Sequence, residues 1–305
     1  MSRETFDSIV VGGGPAGLSA AIYLGRFLRK TVVIDNSSGR SSGRQVNENY
    51  FGFPRGVRAS HLRQLGYAQA GRFGVRFVEG TVAAAAVKND LFVLDGDCGR
   101  WRARTLVVAS GVTDVWPTFP NVERHIGKSL FWCITCDGFR TRDRKLVLVG
   151  ADDEAAVTAR QFLAYTKDIL FIEERVGEES AIGSKQMAAM RKQGIRVVGG
   201  RIEKVRGGAG KLTAVEVDSE RYEADLIFSL LGSIPNSQLA AQLGALLDER
   251  GYVNITDEQR TNVPRLYAAG DVTGPYAHQV SSAVHEGAMA GQAANFDLYA
   301  ENQKG

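Results

Sequence analysis

The fold of this chain is decided by a segment near its N-terminus, residues 8–18, which reads SIVVGGGPAGL. Its apolar start predicts a buried strand, its glycines predict a tight turn, and the residues that follow, as far as Leu28, predict a helix. A second strand, residues 31–34, ends at Asp35, which lies 18 residues after Gly17. Strand, glycine turn, helix, strand and acid in this order form the dinucleotide-binding fingerprint.

The glycine turn and the acid have separate roles in holding a dinucleotide. The turn residues that we expect to bind the cofactor are Gly12, Gly13, Gly14, Pro15, Ala16 and Gly17. Glycines let the backbone approach the pyrophosphate, and the helix N-terminus offers free N–H groups with a partial positive charge. The Asp35 carboxylate can accept hydrogen bonds from an adenosine ribose. The first βαβ unit is therefore predicted to bind a dinucleotide.

The same order of elements begins again 138 residues later, so the chain contains an internal repeat. Residues 146–149 predict a strand, residues 156–165 a helix and residues 169–172 the next strand. The turn in this unit, residues 150–155, reads GADDEA, and Asp152 replaces its middle glycine. Asp152 adds a side chain and a negative charge where a pyrophosphate would approach. The second unit is therefore predicted to keep the βαβ shape with a degraded phosphate turn.

Two βαβ units in 305 residues predict an α/β protein with two domains. Prolines at both ends of residues 117–120 bracket one candidate hinge, and the glycine-bounded stretch 244–251 marks a second. We therefore expect a discontinuous first domain, residues 1–116 and 246–305. The second domain, residues 117–245, is expected to be inserted between those two parts.

The composition narrows the class of protein. The net charge of +3 is small and evenly spread, which does not favour a nucleic-acid partner. No stretch approaches 18 consecutive apolar residues, so no membrane span is predicted. The first seven residues carry no apolar segment, so we expect no signal peptide. From these features we predict a cytoplasmic protein that acts on neither nucleic acid nor a membrane.

Two of the three cysteines, Cys133 and Cys136, have C-x-x-C spacing. This spacing suits a redox-active disulfide across one helical turn, with the first thiol activated at the helix N-terminus. Asp137 follows directly and is placed to shuttle a proton as the disulfide opens. A zinc site would need four ligands, and the four histidines are scattered, so we predict no metal. A purely structural cysteine pair stays as an alternative, and Cys98 is interpreted as an ordinary turn thiol.

With these elements in hand, the chain resembles the low-molecular-weight thioredoxin reductases over nearly its whole length. The matching elements, in family order, are residues 12–17, Glu48-Asn49, Ala109-Ser110-Gly111, Cys133 to Asp137, Gly232 with Pro235-Asn236, Ala268 to Asp271, and Gln279. The resemblance implies two Rossmann-like dinucleotide-binding domains of the three-layer ββα type, the second inserted into the first. It also implies a homodimeric enzyme in which FAD exchanges electrons with the disulfide, and a thioredoxin-like protein or a small disulfide or dithiol as partner.

The resemblance also assigns roles to individual residues. Cys136 would lie against the flavin, Cys133 would attack the partner disulfide, and Asp137 would be the acid. Asp271 would bind the flavin ribityl chain. The other residues expected at the cofactor are Arg40, Asn49, Ala109, Gly111, Gly270, His278, Gln279 and Val280. Of these, Arg40 stands where the family commonly has a flavin-contacting glutamine, and the sequence offers no account of it.

The second βαβ unit departs from the family pattern. A glycine turn of the form G-x-G-x-x-A and a basic His-Arg-Arg hold NADPH in the relatives, whereas this chain has Asp152 in the turn and Ile172-Glu173-Glu174 at the basic position. Arg175 is the one nearby cation in the sequence. A 2′-phosphate needs cations, so NADPH is disfavoured. NADH or a second FAD in the unit of residues 145–175, and ferredoxin as electron donor, are the alternatives that we keep, as in divergent relatives.

Four functions stay open at this point. The first is a disulfide oxidoreductase that does not use NADPH; the others are an NAD(P)H-dependent thioredoxin reductase, a small-molecule dithiol oxidase and a flavin-bound redox sensor without turnover. The intact cysteine pair with Asp137 favours an enzyme over a sensor. His285 and Glu286 follow Gln279 on a predicted helix, and they are either a catalytic pair or a capped surface pair.

Overall fold

The computed structural model describes residues 4–43, 45–174, 179–208, 210–274, 278–300 and 303. The chain divides into two compact units. The first combines Met1–Thr113 with Ile234–Gly305, and the second is Asp114–Ser233. The second unit is thus inserted into the first, which has both chain ends.

Each unit combines strands and helices, with two long runs of consecutive strands, β5 to β9 and β13 to β18 in the numbering that follows. The strands are, in chain order, β1 Phe6–Val11, β2 Thr31–Asp35, β3 Val46–Asn47, β4 Val57–Arg58, β5 Arg76–Glu79, β6 Val82–Lys88, β7 Leu91–Gly96, β8 Gly99–Val108, β9 Val112–Asp114, β10 Leu130–Phe131, β11 Leu146–Gly150, β12 Ile169–Glu173, β13 Arg196–Gly199, β14 Ile202–Gly208, β15 Lys211–Val217, β16 Glu220–Glu223, β17 Leu226–Ser229, β18 Ser233–Pro235 and β19 Leu266–Ala268. The helices are α1 Pro15–Arg26, α2 Ala59–Gly71, α3 Ile134–Asp137, α4 Asp153–Gln161, α5 Ser184–Lys192, α6 Gln238–Gln242 and α7 Val280–Asp297.

The first unit is built on a seven-stranded sheet in which β1 lies between β2 and β8. The strands β5, β2, β1 and β8 are parallel, β19 adds to β8 in parallel, and β8, β7 and β6 are antiparallel. Alternate residues of β1 face different layers. Val10 packs with α1 and α7 on one face of the sheet. Ile9 packs with α6 on the opposite face. This arrangement puts the end of β1 and the start of α1 at the carboxyl edge of the parallel strands, where α/β folds bind nucleotides.

The second unit has a five-stranded parallel sheet in the order β10-β17-β11-β12-β13. The helices α4 and α5 cover one face with a core that includes Phe162, Phe171 and Met190. The antiparallel strands β14, β15 and β16 cover the other face through Leu212 and Val215. Helix, parallel sheet and antiparallel sheet make three layers, and the predicted α/β fold with two Rossmann-like domains is confirmed.

The units divide earlier than the sequence suggested: after residue 113 rather than 116, and after residue 233 rather than 245. The reason lies at Asn236, whose backbone N–H donates to Gly111 O and whose side chain donates to Ser110 O at 3.0 Å. The chain has therefore rejoined the first unit by Asn236. The stretch 244–251, expected to be a hinge, is a turn within that unit.

The helices also bear on the class of protein. In the ranges that the structure describes, no helix is both long and apolar enough to cross a membrane.

Candidate functional site

The first glycine turn leaves the N-terminus of α1 uncapped by any side chain. Gly14 is the N-cap residue, and no side-chain hydrogen bond closes the helix start. A Cβ built on Gly14 would meet only Ser41 Oγ, at 3.6 Å, so there is open space in front of the helix. Free N–H groups beside open space form an anion site, and the residues present therefore fit a dinucleotide pyrophosphate.

Gly17, the last glycine of the turn, has a different function. A Cβ on Gly17 would lie 1.9 Å from Gly12 O, so only glycine lets α1 pack this closely on the end of β1. Gly12 itself has φ of +108°, a backbone conformation that glycine adopts without a steric penalty. The turn thus uses two glycines to bring helix and strand together and keeps Gly14 for the ligand.

Asp35 ends β2 next to this turn and is already hydrogen-bonded. Arg63 and the Tyr67 hydroxyl both donate to its Oδ2, the tyrosine at 3.0 Å. Arg63 also donates to Gly13 O at 3.2 Å. Burial alone would raise the pKa of Asp35, but the Gly13 N–H and Arg63 outweigh burial, so its pKa is lowered. The carboxylate stays ionised and oriented, as an acceptor for a ribose must be.

Tyr67 is the third member of this group. Burial and the nearby Asp35 charge raise the pKa of Tyr67 to about 12, so its hydroxyl keeps its proton and donates. Arg63 and Tyr67 lie one turn apart on α2 and present their side chains on the same face. Neither was singled out in the sequence, where the only signal is this spacing of four residues on a predicted helix.

Asp271 follows β19 and begins a short helical turn after Gly270. Arg40 donates to its Oδ2 at 2.7 Å, and Arg40 Nη1 also lies 3.2 Å from His278 Nδ1. Three residues predicted at the cofactor, far apart in sequence, are thus brought together. A Cβ on Gly270 would meet Ala16 Cβ at 2.8 Å, so the turn that holds Asp271 packs against the first turn of α1.

Glu286 on α7 fixes the turn that holds Asp271. Its Oε2 accepts from Gly270 N at 2.6 Å and from Thr273 Oγ1 at 3.0 Å. Burial raises the pKa of Glu286, and the neighbouring Asp271 charge adds to the rise. In the pair His285-Glu286, it is therefore the glutamate that contacts the candidate site.

The remaining predicted cofactor residues also belong to the first unit, and each has a defined position or contact there. Asn49 Nδ2 donates to Gln279 Oε1 at 2.7 Å, and Gln279 caps α7 through a capping box with Ser282. Val280 is the first residue of α7. Ala109 follows β8, is buried, and donates its N–H to Val11 O, next to the first glycine. Gly111 has φ of +66° and accepts from Asn236 N.

In the second unit, Cys133 and Cys136 form a disulfide with a Cα–Cα distance of 5.2 Å. Cys133 is the N-cap residue of α3, and its Sγ accepts from Cys136 N at 3.0 Å. In the reduced form, the same N–H can stabilise a Cys133 thiolate. Trp116 and Trp132, the residue before the disulfide, pack edge to face with ring centroids 5.1 Å apart.

Asp137 lies at the end of α3 and is held by an arginine. Arg140 Nε donates to Asp137 Oδ1 at 2.7 Å, and the guanidinium stacks over Phe139 at 5.0 Å. The ion pair orients the Asp137 carboxylate, which belongs to the residue that follows Cys136. The sequence did not point to Arg140, and only its i,i+3 spacing from Asp137 is visible there.

The second phosphate turn is closed by its own side chains. Asp152 is the N-cap residue of α4, and its Oδ1 accepts from Ala155 N at 2.8 Å. The next carboxylate, Asp153, accepts from Gly183 N at 2.7 Å. Protein carboxylates therefore occupy the helix start where the first unit is open.

The acids at the end of β12 are also engaged. Glu173 is only 1 % exposed, and Ser180 Oγ donates to its carboxylate. Glu174 lies 3.6 Å from Arg201 Nε, and burial raises the pKa of Glu174 against the pull of that arginine. Arg175, the nearby cation noted in the sequence, lies outside the described residues.

The metal alternative receives no support from side-chain clustering. In the described parts of the chain, no three histidine, cysteine, aspartate or glutamate side chains converge as metal ligands would. Cys98 is a free, half-buried thiol after β7.

Comparison with known proteins agrees with the geometry. The family described as pyridine nucleotide-disulphide oxidoreductase matches residues 6–287. A thioredoxin reductase from Listeria innocua is 28% identical over 313 residues, which covers 99% of this chain and 96% of the relative. Among solved structures, an oxidoreductase from Agrobacterium tumefaciens is 26% identical with a TM-score of 0.81 over 95% of this chain and 97% of that one. The atypical thioredoxin reductase TRi from Desulfovibrio vulgaris Hildenborough is 30% identical with a TM-score of 0.52 over 94% and 96%.

A match over nearly the whole chain, together with the open phosphate turn and the C-x-x-C disulfide, identifies the class of enzyme. FAD is the dinucleotide that this family implies, and the first unit fits it. The chain belongs to the pyridine nucleotide-disulphide oxidoreductase family and is an FAD-dependent, thioredoxin-reductase-like disulfide oxidoreductase.

Proposed function

We propose that this enzyme exchanges electrons between FAD and the Cys133–Cys136 disulfide without using NADPH. The observation that carries the proposal is the Asp152 carboxylate, which accepts from Ala155 N at the start of α4. A pyridine nucleotide would have to displace this bond and place its own phosphates beside a carboxylate. The first unit has no such obstacle at Gly14.

The end of β12 supports the same conclusion for both pyridine nucleotides. A 2′-phosphate at the end of β12 would lie near the partly accessible Glu174 carboxyl group, whose negative charge opposes it. For NADH, a carboxylate would have to accept from a free ribose 2′-OH, but Glu173 is 1 % exposed and bonded to Ser180. The electrons therefore come from a donor that does not bind through this turn.

Two donors from the sequence-based alternatives are left, reduced ferredoxin and a second flavin. A second FAD in the unit of residues 145–175 carries a pyrophosphate and would meet Asp152 just as NADPH would. A protein donor such as ferredoxin needs no site at that turn. We therefore place a one-electron carrier protein ahead of a second flavin, with a homodimer as the assembly.

FAD would be held by the residues of the first unit, and it supplies two electrons to the disulfide when it is bound. The Gly12–Gly17 turn would bind the pyrophosphate, Asp35 the adenosine ribose, and Asp271 the ribityl chain. Asn49 and the segment from His278 to Val280 would face the ring system. These roles are consistent with the open turn and with the cluster around Asp271.

The disulfide chemistry follows from the thiol geometry. Two electrons and two protons convert the Cys133–Cys136 disulfide into two thiols. The Cys133 thiol gives up its proton, for which Asp137 is the shuttle, and the thiolate attacks a partner disulfide, so one sulfur of the partner leaves as a thiolate and takes up that proton. The Cys136 thiol then loses its proton, and its thiolate attacks Cys133 Sγ; this restores the disulfide and releases the second partner sulfur, which takes up the second proton. The partner is a thioredoxin-like protein or a small disulfide, and the reverse direction would oxidise a dithiol.

The test is anaerobic stopped-flow reduction of the flavin by NADPH, by NADH and by reduced ferredoxin, followed at the flavin absorbance. We expect ferredoxin to bleach the flavin and the two nucleotides to leave it oxidised. Rapid bleaching by micromolar NADPH would overturn the proposal. Cys136→Ser should keep its flavin and lose disulfide reduction, whereas Cys98→Ser, the matched control at the free thiol, should keep both.

A further inference from the structure

One residue at the cofactor site of the first unit has no counterpart in the fingerprint. Arg40 donates to Asp271 Oδ2 at 2.7 Å and contacts His278 Nδ1 at 3.2 Å. The Arg40 and Asp271 side chains are 20% and 19% exposed, so the ion pair is largely shielded from water. A shielded charge acts on its neighbours more strongly than a solvated one.

Arg40, Asp271 and His278, which we call the Arg40 cluster, lie close to the start of α1. Ser41, the neighbour of Arg40, is the nearest residue to an added Cβ on Gly14, and Gly270 packs against Ala16. The Asp35 group contacts the turn elsewhere, at Gly13. If Asp35 binds the adenosine ribose, as the fingerprint requires, the other half of the dinucleotide runs past the Arg40 cluster.

The contacts assign donor and acceptor roles within the cluster. His278 Nε2 lies 2.7 Å from Gly274 O, which can only accept, so this nitrogen is the donor. The guanidinium of Arg40 can only donate, so His278 Nδ1 accepts from it. Arg40 is the cation paired with Asp271, whereas a glutamine at position 40 would carry no charge to offset that carboxylate.

We propose that Arg40 offsets the negative charge of Asp271 at the flavin end of the cofactor site and so makes the bound flavin easier to reduce. Reduction leaves negative charge on the flavin ring system, and nearby protein charges shift its electronic balance. A guanidinium that cancels Asp271 favours the reduced form. The inference rests on the FAD of the family and not on the identity of the electron donor, so its failure would leave the proposed function untouched.

The experiment compares the flavin equilibrium of the wild-type holoenzyme with that of Arg40→Gln and Arg40→Lys. Each is equilibrated anaerobically with a reference dye, and the ratio of reduced to oxidised flavin is read from the absorbance. A partly shielded charge near the ring should change that ratio by about tenfold. For Arg40→Gln we expect about tenfold less reduced flavin, which for a two-electron couple corresponds to about 30 mV. Arg40→Lys keeps the charge and should stay close to wild type.

Two controls separate charge from structure. Arg260→Gln removes a comparably shielded arginine from its ion pair with Asp297, outside the cofactor residues named above, and it should leave the ratio unchanged. In Arg40→Gln with Asp271→Asn, both charges are absent and the ratio should return towards wild type. An unchanged ratio in Arg40→Gln would overturn the proposal. So would a variant that no longer takes up FAD when it is supplied in excess, since Arg40 would then be a binding residue.

Discussion

The two βαβ units of this protein share the order strand, turn and helix, but the N-terminus of the helix is open in the first unit and capped in the second. In the first unit, Gly14 leaves the start of α1 open, and in the second, the Asp152 carboxylate caps α4. The first glycine of each turn is kept for packing: a Cβ on Gly12 would lie 2.2 Å from Ala109 O, and one on Gly150 would lie 2.5 Å from Ala155 Cβ. The fold of a βαβ unit and its ability to bind a nucleotide are therefore set by different residues.

The acids at the strand ends show the same contrast. Asp35 pairs with a cation and a phenol and stays partly accessible, with 13% of its side chain exposed. Glu173 is buried and bonded to the Ser180 hydroxyl. The acid of the first unit is oriented and accessible to a ligand, whereas the acid of the second unit is buried and bonded within the protein. The retained strand and helix would suggest a second nucleotide site, but the side chains around them favour a structural role.

The largest expected effect is the loss of flavin when the open turn is filled. Gly14→Val should fold, because an added Cβ there meets nothing closer than 3.6 Å, but its side chain occupies the volume that the pyrophosphate needs. The purified variant should lack visible flavin absorbance. The same change in the second unit, Asp152→Val, should keep a full flavin content. Equal flavin in both variants would mean that the first turn does not bind the cofactor.

A smaller effect is expected at the acids. Asp35→Ala removes the charged acceptor expected to hold the adenosine ribose, and hydrogen bonds to charged groups contribute about 1.5–3 kcal/mol, so the FAD dissociation constant should rise by at least about tenfold. Ser180→Ala removes the partner of Glu173 and should leave FAD affinity as it is. Titration of the apoprotein with FAD measures both. A weaker affinity in Ser180→Ala would contradict the assignment of FAD to the first unit alone.

Much of this contrast could be predicted from the sequence. The strand, turn and helix periods of both units are local properties, and so is the replacement of a glycine by Asp152. The pairing of Cys133 with Cys136 is also local, since they lie three positions apart. Each of these depends on neighbours within one turn of the chain, which is the range over which sequence patterns are informative.

The partners of the predicted site residues could not be found in this way. Arg40 is separated from Asp271 by 231 positions, and Arg63 from Asp35 by 28. These pairs depend on how α2, β19 and the segment after β2 pack together. Such packing cannot be read from the spacing of residues within one helix or strand. The sequence suggested that the second domain ends at residue 245, whereas the second unit ends at Ser233, because the bonds of Asn236 to Ser110 span 126 residues.

The capped turn also makes a prediction about stability. Asp152→Ala removes the side-chain cap of α4, and loss of an N-cap costs about 1 kcal/mol in the free energy of unfolding. Ser237→Ala is the matched control, because Ser237 is the N-cap residue of α6 but makes no cap bond. Urea unfolding measures both variants. If Asp152→Ala were as stable as the wild type, the carboxylate would not be capping the helix.

The smallest effect concerns pH and one glutamate from each unit. Burial raises the pKa of Glu286 in the first unit and of Glu174 in the second above the ordinary value of 4.5. A carboxyl with a raised pKa keeps its proton in the folded state where the unfolded chain has lost it. Its contribution to stability is therefore fully present below pH 4.5 and is lost as the pH rises through the folded-state pKa.

Glu286→Gln and Glu174→Gln should each remove this pH dependence, because a glutamine does not titrate. Relative to either variant, the wild type should lose free energy of unfolding as the pH rises from 4.5, with urea unfolding at a series of pH values as the measurement. Glu286 accepts bonds from Gly270 and Thr273, which a glutamine Oε1 can also accept, so Glu286→Gln keeps the Asp271 turn. A parallel pH dependence in the wild type and both variants would show that neither glutamate is linked to folding.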